Sequence, residues 1–109
     1  MVIRIWRTAV DEASAAEYER FAREVSLPMF ARHAGHLGVL MGRRGDRCIV
    51  ITCWRSPADV EALEASGDYR DVVARIVAAG FAAPEQSTET FEAHLSELGG
   101  LIGFGGLRA

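Results

Sequence analysis

The chain has 109 residues, half of them apolar and a quarter charged, with a net charge of −3. That size fits one domain, and the composition is that of a folded protein rather than a disordered one. The twelve Arg and Lys residues are scattered without a basic stripe, which argues against nucleic acid as a partner.

The opening Met1-Val2-Ile3-Arg4-Ile5-Trp6-Arg7 alternates apolar and polar residues and lacks the continuous apolar core of a signal peptide. No apolar run approaches the roughly 20 residues needed to span a membrane. A cytoplasmic location and no membrane partner are expected. Val2 to Ala9 reads as a first strand, with Ile3 and Ile5 on one face and Val2, Arg4, Trp6 and Thr8 on the other.

Ser14-Ala15-Ala16-Glu17 has capping-box spacing, and the helix it predicts carries Tyr18, Phe21, Ala22, Val25 and Met29 on one stripe. Pro28 should kink or end that helix, because it removes an amide donor and crowds the preceding turn. Gly35 to Arg44 and Arg47 to Arg55 read as an antiparallel strand pair joined at Arg44-Gly45-Asp46. The run Cys48 to Trp54 is apolar on both faces, as in a central strand covered on both sides. Cys48 and Cys53 would point to opposite faces about 16 Å apart, too far to pair, so both are expected as free, buried thiols.

Ser56 and Pro57 mark a helix start, and the helix should stop near Ser66-Gly67. Asp68 can cap a further helix with Val72, Val73, Ile76 and Val77 on its apolar side. Gly80 to Glu85 is a connection, and Ser87 to Leu95 looks like a fourth strand in which Phe91, Ala93 and Leu95 alternate with Thr90, Glu92 and His94. Residues 97–109 form a glycine-rich, apolar tail beyond the domain of residues 1–96. Glycine's backbone entropy disfavours a regular element there, leaving either a frayed end or a segment lying over an apolar groove.

The order β-α-β-β-α-β is the ferredoxin-like split-βαβ arrangement, an α+β fold with an antiparallel sheet and helices on one face. The other face, bearing Ile3 and Ile5 or Val50, needs cover, and a second copy in a homodimer is the simplest source. A domain this small buries roughly 60–70% of its unfolded surface, so such cover would add to a modest stability margin.

Three stretches carry a resemblance. Gly35-His36-Leu37-Gly38, Thr52-Cys53-Trp54-Arg55-Ser56-Pro57-Ala58-Asp59 and Ala65-Ser66-Gly67-Asp68-Tyr69 resemble turns and helix starts of the antibiotic-biosynthesis monooxygenase family, whose members are dimeric α+β barrels. The resemblance spans residues 2 to about 96 and speaks to the scaffold more than to the chemistry. It implies cofactor-independent oxygenation of a small aromatic or polyketide-type substrate in a groove between sheet and helices. A non-catalytic binding module or a lactone isomerase on the same scaffold are the alternatives. The haem-degrading branch of the family uses an Asn on the first strand, a Trp on the helix after the third and a His beyond. The matching places here hold Trp6, Leu63 and residues 71–73, so neither haem nor another cofactor is expected.

The candidate site residues follow from chemistry. His36 or His94 is the candidate base, each also readable as a packed histidine. His33 and His36 share a junction but no third ligand is signalled, so no metal is expected. Trp6 and Trp54 are either walls of an aromatic pocket or core. Tyr69 could donate a hydrogen bond into the groove, and Arg4, on the Trp6 face, would need a carboxylate or another anion if buried. No phosphate loop, nucleophile elbow or dinucleotide fingerprint is present.

Overall fold

In the computed structural model, which describes residues 1–99, β1 (Val2–Ala9) lies between β3 (Arg47–Trp54) and β4 (Ser87–Glu92), and β2 (His36–Arg44) forms the edge beside β3. Every neighbouring pair is antiparallel. The sheet order β2-β3-β1-β4 is that of the split-βαβ arrangement. The tail from residue 100 onward lies outside the described residues.

Strand alternation decides the two faces. Val2, Arg4, Trp6 and Thr8 are buried toward the helices, as are Cys48, Val50, Thr52 and Trp54 opposite them. Val50 therefore belongs to the helix-covered core, correcting its placement on the open face: it pairs with Trp6, and facing partners in a ladder share a side. The open face carries Ile3, Ile5, Ile49, Ile51, Cys53 and Leu40 in adjacent register. Cys48 and Cys53 are free thiols on opposite faces. Cys53 is only half-buried in the single chain.

Helices α1 (Ala15–Phe21) and α2 (Leu27–Ala31) form one continuous rod with a π-helical turn, Ala22–Ser26, between them. The Leu27 amide donates to the Ala22 carbonyl, five residues back, so the register widens just before Pro28. Pro28 thus sits in the first turn of α2, where its missing donor costs little, and the helix neither ends nor breaks there. The Ser14 capping box does not form. A short 3₁₀ turn, Glu12–Ser14, precedes α1, and Asp11 caps it by accepting from the Ala13 amide at 3.2 Å.

Helix α3 (Pro57–Ala65) starts as its residues dictate, with the Ser56 hydroxyl accepting from the Asp59 amide. The cap of α4 (Gly67–Ala78) is Ser66, whose hydroxyl accepts from the Tyr69 amide at 3.1 Å. Asp68 lies in the first turn instead, because the hydroxyl two residues earlier already serves the free amides. Gly35 joins the rod to the sheet at φ +82, and a side chain there would meet the Asp59 carboxylate at 2.2 Å. Only glycine fits, which is the physical content of that motif. Strand β4 stops at Glu92, with Ala93 still donating to the Met1 carbonyl at 2.8 Å. His94 and Leu95 are consequently outside the ladder, contrary to the longer strand expected.

Trp54, Met29, Leu63, Val10 and Thr52 are the most completely buried large side chains. The Trp54 indole donates to the Thr52 hydroxyl at 2.7 Å, so two buried polar groups satisfy each other. No helix of the described residues is long and apolar enough to cross a membrane.

Candidate functional site

Between the sheet and the rod lies a narrow apolar pocket, with Trp6 and Val50 as floor, Met29, Phe30 and Tyr18 from the rod, and Val72 and Ile76 from α4. Met41 of the edge strand forms one wall and is partly exposed. The free space enclosed is about 20 Å³, room for one water molecule. A larger guest has to displace side chains, and the two methionines are the most adaptable of the walls.

The polar groups gather at the Arg4 end. Arg4 is 2% exposed; its Nε donates to Glu64 Oε2 at 2.8 Å and its Nη2 to the Tyr69 hydroxyl at 2.7 Å. Its guanidinium carbon also stands 4.9 Å from the centre of the Tyr69 ring. The buried cation thus has the carboxylate that its burial demands, supplied by α3 from a half-exposed position. Further along β1, the Trp6 indole donates to Gln86 Oε1 at 3.1 Å. Trp6, Arg4 and Tyr69 of the expected site are therefore gathered around one pocket. Tyr18 joins them; burial pushes its phenol up to about 12, so it stays neutral.

Trp54 is fully buried beneath β2 and α2 and does not line the pocket. It instead forms an aromatic cluster with His36, whose ring is stacked on Phe30 with centroids 6.3 Å apart and meets Trp54 edge-on at 5.3 Å. The His36 Nε2 is buried without a hydrogen-bond partner, and burial, reinforced by nearby His33, pushes its pKa below the usual imidazole value. It is a neutral ring walled off by Phe30. His94 is exposed beyond the end of β4 and also lies off the pocket lining.

His33 comes within 3.3 Å of Asp68 Oδ2 without the alignment of a hydrogen bond, while Arg32 grips the same carboxylate with three contacts at 2.8, 3.0 and 3.3 Å. That grip holds the Asp68 carboxyl below the usual carboxylate range. Among the described residues no group of three or more His, Cys, Asp or Glu side chains is placed to hold a metal ion. Sequence reasoning missed Glu64 and Gln86, whose partners are 60 and 80 residues away, and no local signal could have found them. Met29 was visible as part of the α1–α2 stripe.

No protein-family model matches the chain, and no curated protein sequence does. Solved structures do. SnoaB from Streptomyces nogalater, a cofactor-independent oxygenase, is similar at a TM-score of 0.70 and 19% identity over 87% of this chain and 94% of that one. A Deinococcus radiodurans protein assigned as an antibiotic biosynthesis monooxygenase aligns at a TM-score of 0.73 and 12% identity, covering 89% and 96% of the two chains. A Nitrosomonas europaea protein of unknown function reaches a TM-score of 0.72 at 16% identity, covering 89% and 92%. The chain has the fold of antibiotic-biosynthesis-monooxygenase-type proteins, as expected from its motifs.

Proposed function

We infer that this chain is a member of the antibiotic-biosynthesis monooxygenase family that binds a flat, electron-rich aromatic in the Trp6 pocket and oxygenates it without a cofactor. The observation that carries this reading is the Arg4–Tyr69 pair, two donors on a buried cation at one end of an otherwise apolar pocket. A phenol docked there with its oxygen toward the pair would have its anion stabilised, which favours loss of the phenolic proton. The phenolate then reduces O₂, and a C–O bond forms at a ring carbon to give a hydroperoxide. Loss of the ring hydrogen as a proton and cleavage of the O–O bond leave a quinone and water. One oxygen atom stays on the ring, the other leaves in the water, and the two hydrogens come from the hydroxyl and the ring. Of the candidate bases, His36 stands behind Phe30 and His94 in solvent, so on this reading proton loss relies on the stabilised anion and on water.

The same placement of the histidines favours the second reading, a binding module that holds such a ligand without turning it over. A homodimer built across the open sheet face accompanies either reading, because Ile3, Ile5, Ile49, Ile51 and Leu40 form a contiguous apolar surface. Two unpaired thiols suit a reducing compartment, and a cytoplasmic location goes with them.

The test uses 1-naphthol. Stacking in the pocket should quench tryptophan emission, Trp6→Phe should remove most of that quenching, and oxygen uptake with quinone formation should accompany it. Quenching without oxygen uptake selects the binding module. Quenching that survives Trp6→Phe unchanged overturns the site itself.

A further inference from the structure

The arginines that look scattered along the chain are not scattered in space. At the hairpin end of the sheet, Arg7, Arg43, Arg44 and Arg47 line one open cleft of about 900 Å³, with a single carboxylate, Glu85, among its lining side chains. Arg44 and Arg47 are direct cross-strand partners. Like charges placed directly opposite in a ladder are destabilising, and among the described residues neither guanidinium has an ion pair or a side-chain hydrogen bond to offset this.

The other charges nearby leave the balance positive. Arg7 is paired with Glu89, Arg43 donates to the Gly45 carbonyl of the turn, and Asp46 belongs to that turn. The cleft has space as well as charge. Gly42 stands two residues before Arg44, and a side chain there would project against Ile49, 3.4 Å away, on the face that Arg44 and Arg47 share. Gln86 and Ser87 add uncharged polar groups to the lining.

We propose that this cleft is a binding site for a small phosphate-bearing anion, with Arg44 and Arg47 as its principal ligands and Arg7 beside them. Guanidinium forks match the geometry of phosphate oxygens, and an anion between Arg44 and Arg47 would turn a repulsive cross-strand pair into a bridged one. Gln86 lines the cleft and also accepts from the Trp6 indole, so the anion site adjoins the apolar pocket without depending on what that pocket binds.

Calorimetric titration of the intact protein with inorganic pyrophosphate tests this directly. Saturable binding is expected, weakened roughly tenfold or more in each of Arg44→Ala and Arg47→Ala. Arg20→Ala, at an exposed position of helix α1 outside the cleft lining, should leave it unchanged. Sedimentation of the same variants separates the alternative in which these arginines serve the contact between subunits. If the Arg44→Ala and Arg47→Ala proteins lose mass while pyrophosphate fails to bind the parent protein, the arginines belong to the dimer and the proposal is wrong. Absence of pyrophosphate binding with unchanged mass also overturns it, as does binding that Arg20→Ala weakens equally.

Discussion

Arg4 and Tyr69 hold one another across the mouth of the pocket: the guanidinium donates to the phenolic oxygen at 2.7 Å, and its carbon stands 4.9 Å from the centre of the ring. The contact joins β1 to the first turn of α4. Removing the hydroxyl in Tyr69→Phe leaves a buried N–H without that acceptor, which costs about 1–3 kcal/mol. For a domain of this size the midpoint of thermal unfolding should fall by at least about 4 °C. Circular dichroism melting checks this, and an unchanged midpoint would mean that water replaces the hydroxyl.

Leu63 is fully buried between α3 and the sheet. Leu63→Ala should therefore cost about 2–5 kcal/mol, from lost transfer energy and the cavity left behind. Urea denaturation reads it as a lower midpoint with an unchanged slope.

His36 makes the fold sensitive to mild acid. Its pKa is lowered from 6.5 by burial, so the unfolded chain takes up this proton at a higher pH than the folded one. Stability from this group is complete above about 6.5 and falls as the pH drops from there toward the lower folded-state value. His36→Phe keeps an aromatic ring against Phe30 and removes the proton. The variant should lose part of the stability difference measured by denaturation between about pH 7.5 and 5.5. An identical difference in both proteins would locate the acid sensitivity elsewhere.

Ile5 and Ile51 are cross-strand partners at the centre of the open face. Light scattering at micromolar concentration should give twice the chain mass, and Ile5→Glu should halve it by burying a charge in a dry contact. A parent protein that stays at the mass of one chain would remove the dimer from the proposed function.

Most of the fold was legible because strands announce themselves with a period of two. Val2, Arg4, Trp6 and Thr8 were assigned to one face of β1, and all four are buried toward the helices. The helix start at Ser56-Pro57 was equally plain. The caps at Ser14 and Asp68 were misread because several residues in each stretch could serve, and the choice rests on where the preceding turn delivers the chain. The site was half legible. Residue type and face brought Arg4, Trp6 and Tyr69 to the same groove, whereas the screening of His36 by Phe30 depends on the packing of α2 against β2. The arginine cleft was hidden because strand pairing, rather than spacing along the chain, brings Arg7 beside Arg44 and Arg47.

The π turn at Ala22–Ser26 holds one residue more than an ordinary helical turn would. Each residue of an α-helix advances the rod by about 100°. Five residues of a π turn, at roughly 82° each, sweep nearly the same angle as four of α-helix, so a chain one residue shorter there would close into ordinary helix with its downstream side chains facing as before. Met29 and Phe30, buried in the pocket wall, would keep their places. A single-codon deletion at this turn, changing no pocket residue, would thus leave that wall of the cavity standing, and relatives without the π turn should carry one residue fewer there.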